Sequence, residues 1–300
     1  MQVRIVNQTR NMQKPNHLRG VHKGRGSGSN EQSRYISLRS ESVDDGWPSQ
    51  PPEQAASKPA TQLFADRTRK LITTNRSPDI GFHQSINPYK GCEHGCIYCF
   101  ARPTHAYLDL SPGLDFETKI FYKTDVRRHL LAELSQRKYQ CQTLAIGTNT
   151  DPYQPAEKQR RVMREILETL LECRHPVSIV TKSALIQRDI DLLTELAASG
   201  LTYVHVSVTT LDNELKTKLE PRTAGPQARL RTLAKLREAG IPAGAMLAPI
   251  IPFINDREIE ALVAAFADAG AQALGYILIR LPLEVRPLFE EWLTNHYPLQ

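Results

Sequence analysis

Three of the five cysteines, Cys92, Cys96 and Cys99, lie within eight residues of one another in the pattern Cys-x3-Cys-x2-Cys. Gly91 and Gly95 precede the first two, and glycine allows a backbone to fold tightly around a bound group. Thiolates at such a density typically hold zinc or an iron–sulfur cluster. A cluster of four irons normally takes four thiolates, so three would leave one metal position open. An open position is typical of a catalytic metal site, because a substrate or cofactor can bind there.

Other interpretations of this motif are a zinc site completed by His94 or His105, and simple packing of the thiols. Three cysteines at this spacing argue against packing, and the spacing favours a cluster over zinc. Cys141 is distant in sequence and precedes its predicted strand, so it is poorly placed to supply a fourth thiolate. We therefore expect Cys141 and Cys173 to be structural.

Length and composition exclude several classes of protein. The chain has 300 residues, 40% of them hydrophobic, which suits one substantial globular domain with an appendage. No apolar run approaches the roughly 20 residues of a membrane-spanning helix, so we expect no membrane partner. Five cysteines in a chain of this length suit a reducing compartment, and no signal-peptide core is visible. We therefore predict a cytoplasmic protein.

The basic charge is concentrated at the N-terminus. Residues 1–40 hold eight Lys and Arg against a single acid, Glu31, whereas the other 260 residues carry 30 basic and 31 acidic groups. Because this composition cannot bury enough apolar surface, we predict a disordered, basic and Pro-rich tail over residues 1–72. Residues 23–28 of this tail suit a nucleic-acid contact through phosphate neutralisation, and a merely solvated tail explains the composition as well.

From about Thr73 onward, β-branched runs alternate with segments of helical periodicity, which predicts six βα units. The predicted strands are residues 81–89, 143–147, 177–181, 203–208, 242–247 and 274–279. The predicted helices are residues 125–138, 157–173, 187–199, 213–219, 226–239, 256–269 and 284–295, with Gly200 and Gly240 as C-caps. We predict an α/β fold over residues 73–300, a partial (β/α)6 TIM-type barrel of parallel strands. In such barrels the chemistry lies in loops after the strands.

The motif Cys92-x3-Cys96-x2-Cys99, with Tyr98 before the last cysteine, resembles the signature of the radical S-adenosylmethionine (radical SAM) superfamily. Its flanking residues, 77–82, 87–89 and 100–105, resemble the spore photoproduct lyase-related branch, many of whose members have no assigned substrate. The resemblance spans roughly residues 75–290. It implies a partial (β/α)6 barrel, in agreement with the six units counted from periodicity.

The resemblance implies an enzyme with two cofactors, a [4Fe-4S] cluster and S-adenosyl-L-methionine. The three thiolates would hold the cluster, and its fourth iron would bind the amino and carboxylate groups of S-adenosylmethionine. Reductive cleavage would then give methionine and a 5′-deoxyadenosyl radical that abstracts hydrogen from an unidentified substrate, in a lyase-like or other radical transformation. A reducing electron donor such as a flavodoxin or ferredoxin is implied as a partner.

The family's cofactor site can be matched to further strand ends. Relatives grip the amino end of the cofactor in the loop that corresponds to residues 147–155, where Thr148, Asn149 and Asp151 offer acceptors for an ammonium group. The wider superfamily often has Gly-Gly-Glu at this position, from which this chain departs. An ordinary Asp-Pro turn is the alternative interpretation of the same residues.

The remaining matches each have a structural alternative. Ser207 would reach a ribose hydroxyl, and Arg222 would bind the methionine carboxylate unless it forms an ion pair between a loop and a helix. Tyr98 would present its backbone to the adenine, or its ring would belong to the core. Lys182 would face either the cofactor carboxylate or solvent, and the sequence leaves both open.

A second class of function fits the same residues. In it the cysteines bind zinc or an inert cluster, and the protein is a non-catalytic metal protein whose basic tail binds nucleic acid. This alternative predicts bound metal without cleavage of S-adenosylmethionine. It also predicts salt-sensitive nucleic-acid binding that is lost on deletion of residues 1–40.

Overall fold

The computed structural model describes residues 22–31, 33–35, 59–77 and 80–298. Its strands are β1 (Gln62–Asp66), β2 (Ile72–Thr74), β3 (Gln84–Ile86), β4 (Tyr89–Lys90), β5 (Lys119–Lys123), β6 (Leu144–Ile146), β7 (Val177–Thr181), β8 (Thr202–Ser207), β9 (Ala243–Ile250) and β10 (Leu274–Leu278). Its α-helices are α1 (Leu114–Thr118), α2 (Val126–Leu134), α3 (Glu157–Arg160), α4 (Val162–Glu172), α5 (Ile190–Ala198), α6 (Asn213–Leu219), α7 (Pro226–Glu238), α8 (Ile259–Asp268) and α9 (Val285–His296). Short 3-10 helices cover Arg102–Leu108, Ala184–Asp189 and Asp256–Glu258.

The main sheet has seven strands in the order β10-β9-β8-β7-β6-β3-β2. Six of them, β3 and β6 to β10, run parallel to their neighbours, whereas β2 pairs antiparallel with β3 at the edge. The predicted α/β partial barrel of six parallel strands is therefore confirmed. β2 and β10 are the two ends of this sheet. None of the helices in the described ranges is long and apolar enough to cross a membrane.

The core lies between the parallel strands and the helices that connect them. Alternate residues of β7, β8 and β9 are buried and belong to one apolar cluster: Val177, Ile179, Val204, Val206, Ala243 and Ala245. Helix α4 adds Met163, Ile166, Leu167 and Leu170, whose spacing of three and four residues places them on one helical face. Each such large apolar side chain contributes about 1.5–3 kcal/mol on burial. This core fixes the strand ends that carry the candidate site.

A second, three-stranded sheet was not predicted from the sequence. Its order is β1-β5-β4, with β1 parallel to β5 and β4 antiparallel to it. Because β1 is mostly exposed, its apolar residues give no periodic signal. The Asp66 carboxylate fastens β1 to the other strands, since Lys123 Nζ lies 2.8 Å and Lys90 Nζ 3.0 Å from it.

β1 lies inside residues 1–72, the segment predicted as a disordered tail. The prediction of disorder is wrong for residues 59–72, because they include β1 and the start of the main sheet at Ile72. Residues 22–31 and 33–35 also contact the barrel through hydrogen bonds to Glu117 and Asp115. The prediction for residues 1–21, 32 and 36–58 lies outside the described residues.

Three predicted helices begin or continue differently in the structure. Residues 256–269 start as a 3-10 helix over Asp256–Glu258 and become α8 at Ile259. Residues 157–173 form α3 and α4 rather than one helix, because Arg161 has a left-handed backbone with φ of 52°. Residues 187–199 start as part of a 3-10 helix and become α5 at Ile190. Gly200 and Gly240 do adopt the predicted left-handed conformation, with φ of 66° and 76°.

Gly147 ends β6 and turns the chain into the following loop, with φ of +87°. A Cβ atom there would lie 2.0 Å from the Val180 carbonyl oxygen, whereas a Cβ atom at Gly240 would meet nothing within 4 Å. We expect Gly240→Ala to lower the free energy of unfolding by about 1–2 kcal/mol through backbone strain. Gly147→Ala should lose roughly 1–3 kcal/mol more through the clash. Urea unfolding of both variants measures the difference, and equal losses would contradict this account of the turn.

Candidate active site

The cysteine loop, residues 91–99, follows β4 and is closely packed. Cys92 and Cys96 are buried and Cys99 is half-buried. The Cys92 N–H donates to the Phe116 carbonyl oxygen at 2.9 Å, and the Ile97 N–H donates to that of Leu219 at 3.1 Å. The loop is thus attached to α1 and α6 by its own backbone.

The three thiols lie close together in a buried environment. Cys99 packs against the two clusters that contain Cys92 and Cys96, and tight turns join the three, since the Gly95 N–H donates to the Cys92 carbonyl oxygen at 3.3 Å and the Cys99 N–H to that of Cys96 at 3.2 Å. Burial raises the pKa of each of them. The thiols therefore keep their protons at neutral pH, and metal binding would release them. Three soft sulfur donors at close range fit an iron–sulfur cluster with three protein ligands.

Both histidines weighed as zinc ligands have other partners. His94 Nδ1 lies 3.3 Å from Asp151 Oδ2, and His105 Nε2 lies 3.0 Å from the Lys119 carbonyl oxygen. Burial lowers the pKa of His105 to about 4, so its ring is neutral at physiological pH. In the described ranges, no three His, Cys, Asp or Glu side chains are arranged to hold a single metal ion. The two histidines contribute to the packing and hydrogen bonding of the cysteine loop.

The loop after β6, residues 147–154, lies against the cysteine loop. Gln154 bridges the two, since its Nε2 donates to the Gly91 carbonyl oxygen at 3.1 Å and its Oε1 accepts from the Glu93 N–H at 2.9 Å. The Thr150 hydroxyl also donates to the Tyr89 carbonyl oxygen at 2.8 Å, just before the cysteine loop. The structure therefore brings together the two loops that the resemblance assigned to the cluster and to the cofactor's amino end.

Within this loop, the three predicted acceptors differ in their surroundings. The Asp151 carboxylate accepts from the Tyr153 N–H at 2.9 Å, the Thr181 hydroxyl at 2.7 Å and the Lys182 N–H at 2.7 Å. Burial opposes its charge, but His94 and these donors outweigh burial and lower the pKa of Asp151. Asp151 is thus already engaged in holding the loop.

Thr148 and Asn149 have different surroundings from Asp151. Both are half-buried, and no hydrogen bond occupies their side chains within the part of the chain that the structure describes. They are the two predicted acceptors that keep their hydrogen-bonding capacity for another molecule.

Glu220 is the centre of a buried charge network that links the cysteine loop to the strand ends. Its Oε1 accepts from the Tyr98 hydroxyl, from Thr209 Oγ1 at 2.6 Å, and lies 3.1 Å from Lys182 Nζ. Its Oε2 accepts from Arg229 Nη2. Burial alone would raise the pKa of Glu220, but Arg229 and Lys182 outweigh it and lower the pKa well below its usual range. The Tyr98 ring is therefore buried and anchored.

Lys182 and Ser207 meet where β7 and β8 end. Lys182 Nζ donates to Ser207 Oγ at 2.8 Å and to the Ala248 carbonyl oxygen at 3.0 Å. Lys182 therefore points neither freely into solvent nor toward an open position, because Glu220 and these oxygens surround its ammonium group. Ser207 stands at the end of its strand, as predicted, with its hydroxyl bound to Lys182.

Arg222 lies in a different part of the site. Its Nη2 pairs with Glu93 Oε1 at 3.0 Å, and its Nη1 lies 3.4 Å from Thr61 Oγ1. With Lys23 and Arg25 it lines an open cleft of about 480 Å³. Among the described residues, no contact joins Arg222 to Thr148, Asn149, Asp151 or Ser207. Arg222 does form an ion pair, but the pair joins two loops rather than a loop and a helix, with Glu93 of the cysteine loop as the partner.

Sequence reasoning missed the residues that hold the site together. Glu220 stands two positions before Arg222, and only the arginine was considered as a site residue. Arg229, Arg102 and Glu117 are almost fully buried, which charge counting cannot reveal. The only sequence signal for these three buried residues is that each charge stands among apolar neighbours.

Comparison with known proteins places this geometry in a family. Residues 86–266 match the radical SAM superfamily. The chain belongs to this superfamily. An uncharacterised protein of Mycobacterium tuberculosis is 40% identical over 219 residues, which are 72% of this chain and 64% of that protein. An uncharacterised protein of Methanocaldococcus jannaschii is 29% identical over 237 residues, covering 79% of this chain and 84% of the relative.

Solved structures show the same fold. A spore photoproduct lyase mutant matches with a TM-score of 0.59 at 18% identity, over 79% of this chain and 66% of that one. A form of that lyase with bound AdoMet and dinucleoside spore photoproduct matches with a TM-score of 0.58 at 18% identity. The predicted radical SAM family is confirmed. The match spans 64% of the mycobacterial relative's length.

Removal of the Glu220 charge tests the network of this radical SAM domain. Glu220→Gln leaves Arg229 and Lys182 without their carboxylate, and we expect a loss of about 3–5 kcal/mol in the free energy of unfolding. The exposed pair of Glu214 and Lys218 supplies the control, since Glu214→Gln should change it by less than about 1 kcal/mol.

The stabilisation that Glu220→Gln removes should depend on pH. Because the folded-state pKa of Glu220 is lowered, its contribution is present above the ordinary glutamate pKa of about 4.3 and is lost as pH falls below it. The difference in unfolding free energy between wild type and Glu220→Gln should therefore shrink below about pH 4. A difference that is constant from neutral to acid pH would contradict the ion pairing.

Proposed function

We propose that this protein is a radical SAM enzyme in which Cys92, Cys96 and Cys99 hold a [4Fe-4S] cluster. The observation that carries the proposal is the trio of thiols in one packed loop, with Gln154 of the neighbouring loop hydrogen-bonded to Gly91 and Glu93, inside a region that matches the superfamily. When bound, the cluster and S-adenosyl-L-methionine together supply a 5′-deoxyadenosyl radical that abstracts hydrogen from the substrate. The protein's own residues hold, orient and shield these groups.

The residues around the cysteines have separate roles in this proposal. Thr148 and Asn149 accept hydrogen bonds from the cofactor's ammonium group, while Asp151 holds their loop against Thr181 and Lys182. Ser207 offers a hydroxyl to the ribose. Tyr98 offers its backbone on the adenine side, because its ring is anchored to Glu220.

Arg222 is the weakest of the predicted cofactor contacts. Its guanidinium is already paired with Glu93, so a cofactor carboxylate would have to compete with that glutamate. We propose that Arg222 chiefly stabilises the cysteine loop, and that it contacts the cofactor only as part of its pair with Glu93.

The substrate, the reductant and the location are proposed at a coarser level. The dinucleoside spore photoproduct is a ligand of the lyase structure. For this chain, a nucleic-acid substrate is supported by the fold similarity and by the basic residues 1–40. The reductant is an electron-transfer protein of the flavodoxin or ferredoxin kind. A reducing, cytoplasmic location is supported by five cysteines that form no disulfide.

Replacing each cysteine tests the proposal. After anaerobic reconstitution, the wild-type chain should bind about four irons and release 5′-deoxyadenosine when dithionite and S-adenosylmethionine are added. Cys92→Ala, Cys96→Ala and Cys99→Ala should each lose both properties. Cys141→Ala and Cys173→Ala, at exposed thiols, are the matched controls and should keep both.

Two results would contradict the proposal. One is full iron binding by any of the three site variants, because the thiolate trio would then be dispensable. The other is stable zinc or iron without any cleavage of S-adenosylmethionine, which is the result that the non-catalytic alternative predicts.

The cofactor loop can be tested without changing the cluster. We expect Thr148→Ala/Asn149→Ala to weaken S-adenosylmethionine binding by about a hundredfold or more, since each of the two hydrogen bonds to a charged group contributes about 1.5–3 kcal/mol. Iron content should stay at the wild-type value. Binding is measured by titration of the reconstituted protein, with Thr217→Ala on exposed helix α6 as the control. Wild-type affinity in the double variant would remove these residues from the cofactor site.

A further inference from the structure

Residues 22–31 and 33–35, called the N-terminal segment below, lie against α1. The Gly26 N–H donates to Glu117 Oε2 at 3.0 Å, and the Ser27 N–H donates to Glu117 Oε1 at 2.9 Å. Arg25 Nη1 donates to the Glu117 carbonyl oxygen at 2.8 Å. The segment therefore contacts a fully buried carboxylate through two consecutive backbone amides.

Glu117 connects this segment to the cysteine loop through Arg102. Arg102 Nη2 donates to Glu117 Oε1 at 2.5 Å, and both side chains are fully buried. The same guanidinium donates to the Cys96 carbonyl oxygen at 2.9 Å and to the Gly95 carbonyl oxygen at 3.2 Å. Two peptide groups of the cysteine loop are thus fixed by a buried ion pair that the N-terminal segment completes.

The two backbones also touch directly. A Cβ atom on Gly26 would lie 1.8 Å from the Gly95 carbonyl oxygen and 3.0 Å from its carbon. Gly95 itself has φ of +68°, and a Cβ atom there would lie 2.7 Å from Glu117 Oε2. Neither glycine can gain a side chain unless the cysteine loop moves away from the segment.

The other end of the segment is attached to the last helix. Ser29 Oγ donates to Glu291 at 2.8 Å, and Arg34 Nη1 donates to both oxygens of Glu284 at 2.8 and 2.9 Å. Trp292 of α9 belongs to the same apolar cluster as Ile97 of the cysteine loop. The N-terminal segment and α9 therefore support the cysteine loop from distant parts of the chain.

We propose that residues 25–29 are positioning residues of the cluster site, and this inference rests on the proposed function. The Gly26 and Ser27 amides donate hydrogen bonds to the Glu117 carboxylate. Glu117 in turn orients Arg102, and Arg102 holds the carbonyl groups of Gly95 and Cys96. Groups that orient metal ligands from behind affect metal binding although they never touch the metal. Residues 25–27, part of the run first considered for nucleic-acid contact, serve the cysteine loop instead.

The test compares two glycine variants of the full chain. Gly26→Ala forces a Cβ atom onto the Gly95 carbonyl, whereas Gly81→Ala adds one where nothing lies within 4 Å. In the protein before reconstitution, we expect faster hydrogen exchange over residues 92–99 in Gly26→Ala alone. After reconstitution, its cluster should be lost to a chelator about tenfold faster than that of wild type. Gly81→Ala should match wild type in both measurements.

Arg25→Met is a milder second variant, because it removes the hydrogen bond to the Glu117 carbonyl without adding a clash. It should shift both measurements in the same direction, by less than Gly26→Ala. Wild-type exchange over residues 92–99, or wild-type cluster retention, in folded Gly26→Ala and Arg25→Met would overturn the inference. If wild type itself bound no cluster, the proposed function would fail, whereas the exchange comparison would still decide whether the segment holds the loop.

Discussion

Two buried carboxylates, each matched by a buried arginine, are the constraint on which the cysteine loop depends. Glu220 is balanced by Arg229 and Lys182, and it anchors the Tyr98 ring. Glu117 is balanced by Arg102, whose other donors hold the carbonyl groups next to Cys96. A buried charge without its partner is strongly destabilising, so each pair can exist only when the loop, α1 and α7 are in their native positions. Movement of the cysteine loop would leave these buried charges without their partners, and this cost holds the loop in its native position.

The central parallel strands β7, β8 and β9 were predictable because alternate residues in each are buried and leave a periodic apolar signal. β7 and α6 match their predicted bounds, and the left-handed glycines at 200 and 240 end their helices as expected. β1 and β5 were missed because their pairing depends on Asp66 and two lysines rather than on periodicity. The break at Arg161 was missed because the preceding helix residue Glu157 is held by Arg188, a partner far along the chain.

The candidate site was predictable to a similar extent and for related reasons. Cysteine spacing identified the three thiols, since ligand chemistry restricts both residue type and separation. Spacing could not tell which of the neighbouring acceptors would be free: Asp151 is engaged by the protein, while Thr148 and Asn149 are not. Arg222 was assigned from the resemblance and its bidentate guanidinium, and its partner Glu93 became visible only in three dimensions. Composition likewise assigned residues 23–28 to solvent or nucleic acid, because a count of charged residues does not show which groups those residues contact in the folded chain.

The contact between Ser29 and Glu291 spans 262 positions of sequence. It can form only once α9 has left the ribosome, although Ser29 is among the first tenth of the chain to be synthesised. The cysteine loop is made between these two events and lacks this last support until α9 has been made. A metal group that arrived earlier would meet a loosely held loop, so the order of synthesis would favour insertion after α9 is in place.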